Sequence, residues 1–129
     1  MGENSLNLSE LTEAIRSYLA SSVTSLKWER HFTGAAIPAA PTGTVSAASM
    51  EFQNTVKGAD ITVVTFSIYI VDPTGDDVEG KALLVRAALK ENETIDGLIQ
   101  SGEVSKIEFG AVTAKAGAAL ITYKAKLWL

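Results

Sequence analysis

Residues that move protons, hold metals or attack electrophiles are scarce in this sequence. His31 is the only histidine. A serine–histidine–aspartate arrangement or a histidine general base would have to use it. It stands beside Phe32 and before a glycine- and proline-rich stretch, with no G-x-S-x-G around a nucleophile. It therefore reads as an ordinary strand-end histidine. There are no cysteines, which excludes disulfides, thiolate metal sites and cysteine nucleophiles. Asp72, Asp76, Asp77 and Glu79 form the densest acidic group. A calcium loop needs alternating oxygen ligands and a closing glutamate, and this spacing does not supply them. The group fits a helix start instead, where carboxylates cap free amides and meet the positive end of the helix dipole. Glu51 and Asp60 could face each other across a hairpin as an acid and a base, but polar hairpin ends are the default. Gly75, Gly80, Gly97, Gly102 and Gly110 make neither G-x-G-x-x-G nor a phosphate loop. The expectation is a protein without catalytic residues, metal or cofactor, which acts by contact and not as an enzyme.

Composition narrows the partners. The 129 residues suit one domain, residues 1–129, able to bury a core without staples. Hydrophobic residues make up 47% and charged residues 20%, a globular balance. A net charge of −4 with scattered Lys and Arg argues against general affinity for nucleic acid, which depends on clustered cations. No apolar run approaches the ~18 residues of a membrane span. The first residues, MGENS, lack the basic and apolar regions of an export signal, so a soluble, cytoplasmic chain is expected. Leu6 stands where a myristoylation pattern needs Ser or Thr.

The elements follow from periodicity. Leu8, Leu11, Ile15 and Leu19 repeat at three and four residues and predict a helix over 8–22, capped by Asn7 with Glu10 at the capping-box position. Leu6 and Leu11 have the spacing of a hydrophobic staple. Residues 25–32 alternate as a short edge strand. The stretch 34–43, GAAIPAAPTG, holds Pro38 and Pro41 between glycines and predicts a loop. Its apolar composition suggests a contact arm as well as a solvated loop. Residues 44–55 and 59–71 read as a hairpin. In its second strand Thr62, Val64, Phe66, Ile68 and Ile70 share one face. Asp72-Pro73-Thr74-Gly75 ends that strand, and a second helix starts at Gly75 or Asp76 and runs to about Lys90, with Val78, Ala82, Val85 and Leu89 inward. An apolar turn with Ile95, Leu98 and Ile99 precedes two more strands, 104–112 and 118–129. In the last, Ile121, Tyr123, Ala125 and Leu127 face inward, and Trp128 and Leu129 need cover.

Consecutive strands with short connections are expected to be antiparallel. The predicted fold class is α+β: an antiparallel-rich sheet of four to five strands with two helices packed on one face.

This order of elements resembles the tail terminator, or tail-completion, proteins of long-tailed bacteriophages and prophage particles. The resemblance spans about residues 8–129. It is carried by the size and helix–hairpin–helix–hairpin order, by ADITVVTFSIYIVDPTGDDVEGKALLVRAAL, and by IDGLIQSGEVSKIEFG with its final apolar strand. The 34–43 loop has no match in the pattern. The resemblance implies a structural protein of the virion tail, present in the host cytoplasm during assembly. It would form a hexameric ring that caps the tail tube, stops its growth and meets the head connector, through loops and sheet edges and without an active site. Ala35, Ile37, Pro38 and Pro41 of the loop, and Asp72, Thr74, Asp76 and Asp77 of the acidic turn, are the expected contact residues. The alternative is a small dimeric α+β module that holds an apolar ligand in a pocket lined by Val64, Phe66, Ile68 and Tyr123.

Overall fold

The computed structural model describes residues 7–30, 37–54, 60–113 and 115–128, with the side chains of residues 54, 60 and 128 excepted. His31, Ala35, Leu6 and Leu129 lie outside the described residues, as does the Trp128 side chain.

The first helix, α1, spans Leu8–Ser22, as its apolar spacing predicts. Asn7 caps it: its side-chain oxygen accepts a 2.7 Å hydrogen bond from the Glu10 amide. The Glu10 carboxylate in turn accepts from the Asn7 side-chain amide at 2.6 Å. Leu11, Ile15 and Leu19 are buried. Each contributes roughly 1.5–3 kcal/mol by leaving water. Val23 ends the helix, and its carbonyl accepts from Trp28 Nε1 at 3.0 Å.

Five strands form one sheet in the order β1-β2-β3-β5-β4. They are β1 (Lys27–Glu29), β2 (Thr42–Asn54), β3 (Asp60–Asp72), β4 (Ser101–Ala111) and β5 (Gly117–Trp128). The second helix, α2 (Val78–Glu91), links β3 to β4. Because β5 lies between those two strands, α2 is the crossover of a split β-α-β unit.

The antiparallel expectation holds for the β2–β3, β3–β5 and β4–β5 pairs. It does not extend to β1, which runs parallel to β2 with Trp28 opposite Gly43. The connection between them, residues 30–41, is too long for a hairpin, so hairpin logic does not apply to it. The parallel pair is fixed by packing. The Trp28 ring lies over Gly43 so closely that a Cβ there would fall 2.7 Å from it.

The α+β reading is correct: a five-stranded, mostly antiparallel sheet carries both helices on one face. The core lies between them. Leu11, Ile15 and Leu19 of α1, with Ala82, Val85 and Leu89 of α2, meet Val64, Phe66, Ile68 and Ile70 of β3 and Ile121, Tyr123 and Ala125 of β5. No described helix covers the other face of the sheet. That face shows the exposed Glu51, Glu103, Lys106, Glu108, Lys124 and Lys126 around the half-buried Tyr69, Leu120 and Thr122.

The sheet has two irregularities. The β2–β3 ladder skips Ala48, between the pairs Ala47–Phe66 and Ser49–Thr65. The β4–β5 ladder skips Ser105, between Val104–Tyr123 and Lys106–Thr122. Phe66 and Tyr123 are themselves paired. Both bulges therefore flank one row across the sheet, Ala47–Phe66–Tyr123–Val104.

Strand β4 begins three residues before the predicted start at 104, so Gly102 lies inside it and does not mark its boundary. The reason is steric. The Tyr123 hydroxyl crowds the place a Cβ of residue 102 would take.

Candidate interaction surface

The acidic turn is built around one buried carboxylate. Asp72 closes β3 and is fully buried. Its Oδ1 accepts from the Thr74 amide at 3.0 Å and the Thr74 hydroxyl at 2.8 Å. Its Oδ2 lies 2.9 Å from Lys81 Nζ, a pair in which only 17% of the lysine side chain is exposed. Burial opposes the charged form. The Lys81 ammonium and the two Thr74 donors outweigh it and hold the carboxyl below its ordinary value. Lys81 also donates to the Asp76 carbonyl at 2.9 Å, so one ammonium ties both ends of the turn.

Asp77, and not Asp76, caps α2, accepting from the Gly80 amide at 3.1 Å. It does so from a left-handed backbone, φ 57°. Gly75, at φ 68°, packs against the Lys115 carbonyl of the β4–β5 connection. Thr74, Asp76 and Asp77 are exposed. Of the four turn residues expected to make contacts, these three are presented outward on a rigid base, while Asp72 spends its charge inside the chain.

The second expected segment is partly described. Ile37 is 38% exposed and Pro38 is half-buried. Pro41 is half-buried and its carbonyl accepts from the Lys27 amide at 2.9 Å, which fastens this end of the loop to the start of β1. Thr42 pairs with Val71, so the Pro41 end of this loop and the acidic turn leave neighbouring strands at the same end of the sheet. Among the described residues, no three histidine or acidic side chains converge as a metal site would require.

Sequence reasoning missed a third surface, the two edges of the sheet. Beyond the three residues paired with β1, no described strand pairs with the free edge of β2, and residues 46–53 are all exposed. Phe52 is 69% and Met50 39% exposed. At the opposite edge β4 has a partner on one side only among the described strands, and Phe109 there is 54% exposed. The available signal was alternation. Met50, Phe52 and Phe109 occupy the helix side of the sheet and stay exposed there, while Ile107 on the same face of β4 packs against the core.

The ligand-pocket alternative finds no support in these side chains. Val64, Phe66, Ile68 and Tyr123 are all fully buried as core filling. A cleft of about 240 Å³ does open between α2 and β4, lined by Arg86, Leu89, Lys90, Glu93, Gly102 and Glu103. Its lining mixes two cations with two carboxylates, and a wider, more open groove of about 430 Å³ lies between α1 and β2. No described helix is long and apolar enough to cross a membrane.

No protein-family model and no curated protein matches the chain. A solved structure does. The fold is similar to that of a chain in the virion of the native gene transfer agent (GTA) particle, with a TM-score of 0.54 and 14% sequence identity, over 92% of this chain and 95% of that one. At that identity the likeness is one of fold.

Proposed function

We propose that this chain is a structural component of a phage-like virion, acting as a tail terminator: a ring, expected to be a hexamer, that caps the tail tube and joins it to the head. The observation that carries this reading is the fold shared, nearly end to end, with a chain of a gene transfer agent virion. The surface agrees with an assembly role. Its exposed large apolar side chains include Met50 and Phe52 of β2, Phe109 of β4, and Leu83 and Leu84 of α2, which are half exposed. The exposed Thr74, Asp76 and Asp77, with Ile37 and Pro38, are the proposed contacts with tail-tube and head-connector proteins. The protein acts by assembly and not by catalysis.

The test is to purify particles from cells that carry or lack the gene. The chain is expected at one end of the tail. Particles made without it should have tubes of irregular length and no attached heads. Its absence from purified normal particles would overturn the reading.

A further inference from the structure

Two edges of the sheet have no partner strand among the described residues, and they lie at opposite ends of the strand order. One is β2 beyond its contact with β1, residues 45–54. The other is β4, 11 residues long. Unpaired edges of this length are templates for another strand, and they are normally shortened, covered or interrupted by proline. Neither segment contains proline.

Their side chains follow the same two-sided code. On β2, Val45, Ala47, Met50 and Phe52 point to the helix side, while Ser46, Ser49 and Glu51 point to the bare side. On β4, Val104, Ile107 and Phe109 point to the helix side, while Glu103, Lys106 and Glu108 point to the bare side. Strand directions agree as well. Strands β2 and β5 run one way, and β3 and β4 the other. A second copy placed beside the first in the same orientation sets its β2 antiparallel to β4. Apolar then meets apolar on the helix side. On the bare side, β4 offers Lys106 as the opposite charge to Glu51, flanked by the acidic Glu103 and Glu108.

We infer that the chain self-associates head to tail, the β4 edge of one copy pairing antiparallel with the 45–54 edge of the next, so that the sheets run on from copy to copy. The contact uses two different surfaces, which makes it heterologous, and a heterologous contact closes into a ring when its rotation permits. The two bulges supply curvature. Each bends its strand and increases local twist, and both flank the same row of the sheet. This inference rests on the reading of the chain as a self-assembling virion component, and it names the neighbour as a second copy.

The test exploits the asymmetry of the contact. One variant, Met50→Glu with Phe52→Glu, spoils only the β2 edge. Another, Phe109→Glu, spoils only the β4 edge. All three positions are exposed, so both variants should keep the wild-type circular dichroism spectrum and melting profile. Light scattering across a concentration series is expected to show wild-type oligomers. Each variant alone should be monomeric, with its association weakened at least about tenfold. An equimolar mixture should form 1:1 dimers and stop there, because each variant retains one good edge. Wild-type protein that stays monomeric, variants that still assemble, or a mixture that stays monomeric would each overturn the inference. Detecting the chain in purified particles despite any of these results would leave the virion reading standing.

Discussion

Asp72 and Lys81 show how much one side chain can organise. The carboxylate is completely buried, and the ammonium that faces it is mostly so. Removing one partner of such a pair strands the other in a poorly solvated place. Lys81→Met is therefore expected to destabilise the fold by on the order of 3 kcal/mol in chemical denaturation. The pH dependence has a definite sign. The Asp72 carboxyl is held below its ordinary value in the folded chain. Its stabilisation is present above the unfolded-state value of about 4 and is lost as pH falls below that point toward the folded value. Stability of the wild type should thus drop below about pH 4, and Lys81→Met should show a shallower drop. Equal acid limbs in the two proteins would refute the assignment. Tyr123 presents the opposite case. Its hydroxyl is buried and has no hydrogen-bond partner. Burial, helped by the Glu93 carboxylate, pushes its ionisation above the ordinary tyrosine value.

Elements built on periodicity were legible in the sequence, and elements built on local backbone geometry were not. The spacing of Leu8, Leu11, Ile15 and Leu19 defines α1 to the residue. The inward face of β3 follows equally from alternation. The start of α2 does not. Asp76 and Asp77 are chemically equivalent as caps, and only the left-handed turn at Asp77 decides between them. Asp77→Ala removes the cap and leaves an alanine with positive φ, so a loss of about 1–2 kcal/mol is expected from thermal or denaturant unfolding. Asp77→Asn, which still caps and tolerates that backbone, should lose much less. A similar conflict lies after α2. Ile95 is buried, yet its φ is 46°, and Asp96 and Gly97 follow at 57° and 85°. Asn92 supports this turn by accepting from the Asp96 amide at 3.0 Å. No hydrophobic pattern announces a β-branched residue in the left-handed region.

For the whole molecule, the two-layer architecture was readable because two apolar helix stripes and one apolar sheet face admit few arrangements. The parallel placement of β1 was not, since it depends on the Trp28 ring finding the bare backbone of Gly43. The candidate surface was only half legible. Composition singles out the acidic turn and the proline-rich loop. The free edges of β2 and β4 emerge only when the strand order is known.

The two bulges also fix where this protein can change length. Ala48 and Ser105 are residues that the ladders do not count. Deleting Ala48 shortens β2, yet it leaves every other side chain of the strand on its present face, because a bulge is one residue added to an otherwise regular alternation. Deleting Thr65 from the middle of β3 would turn one half of that strand inside out, exposing Val64 or Phe66 in place of its polar neighbours. The first variant should fold with a cost of about 1–2 kcal/mol, and the second should not fold, as melting curves of the two would show. Gain and loss of single residues is thus accommodated at the rims of the sheet, at two marked places, and refused at its centre.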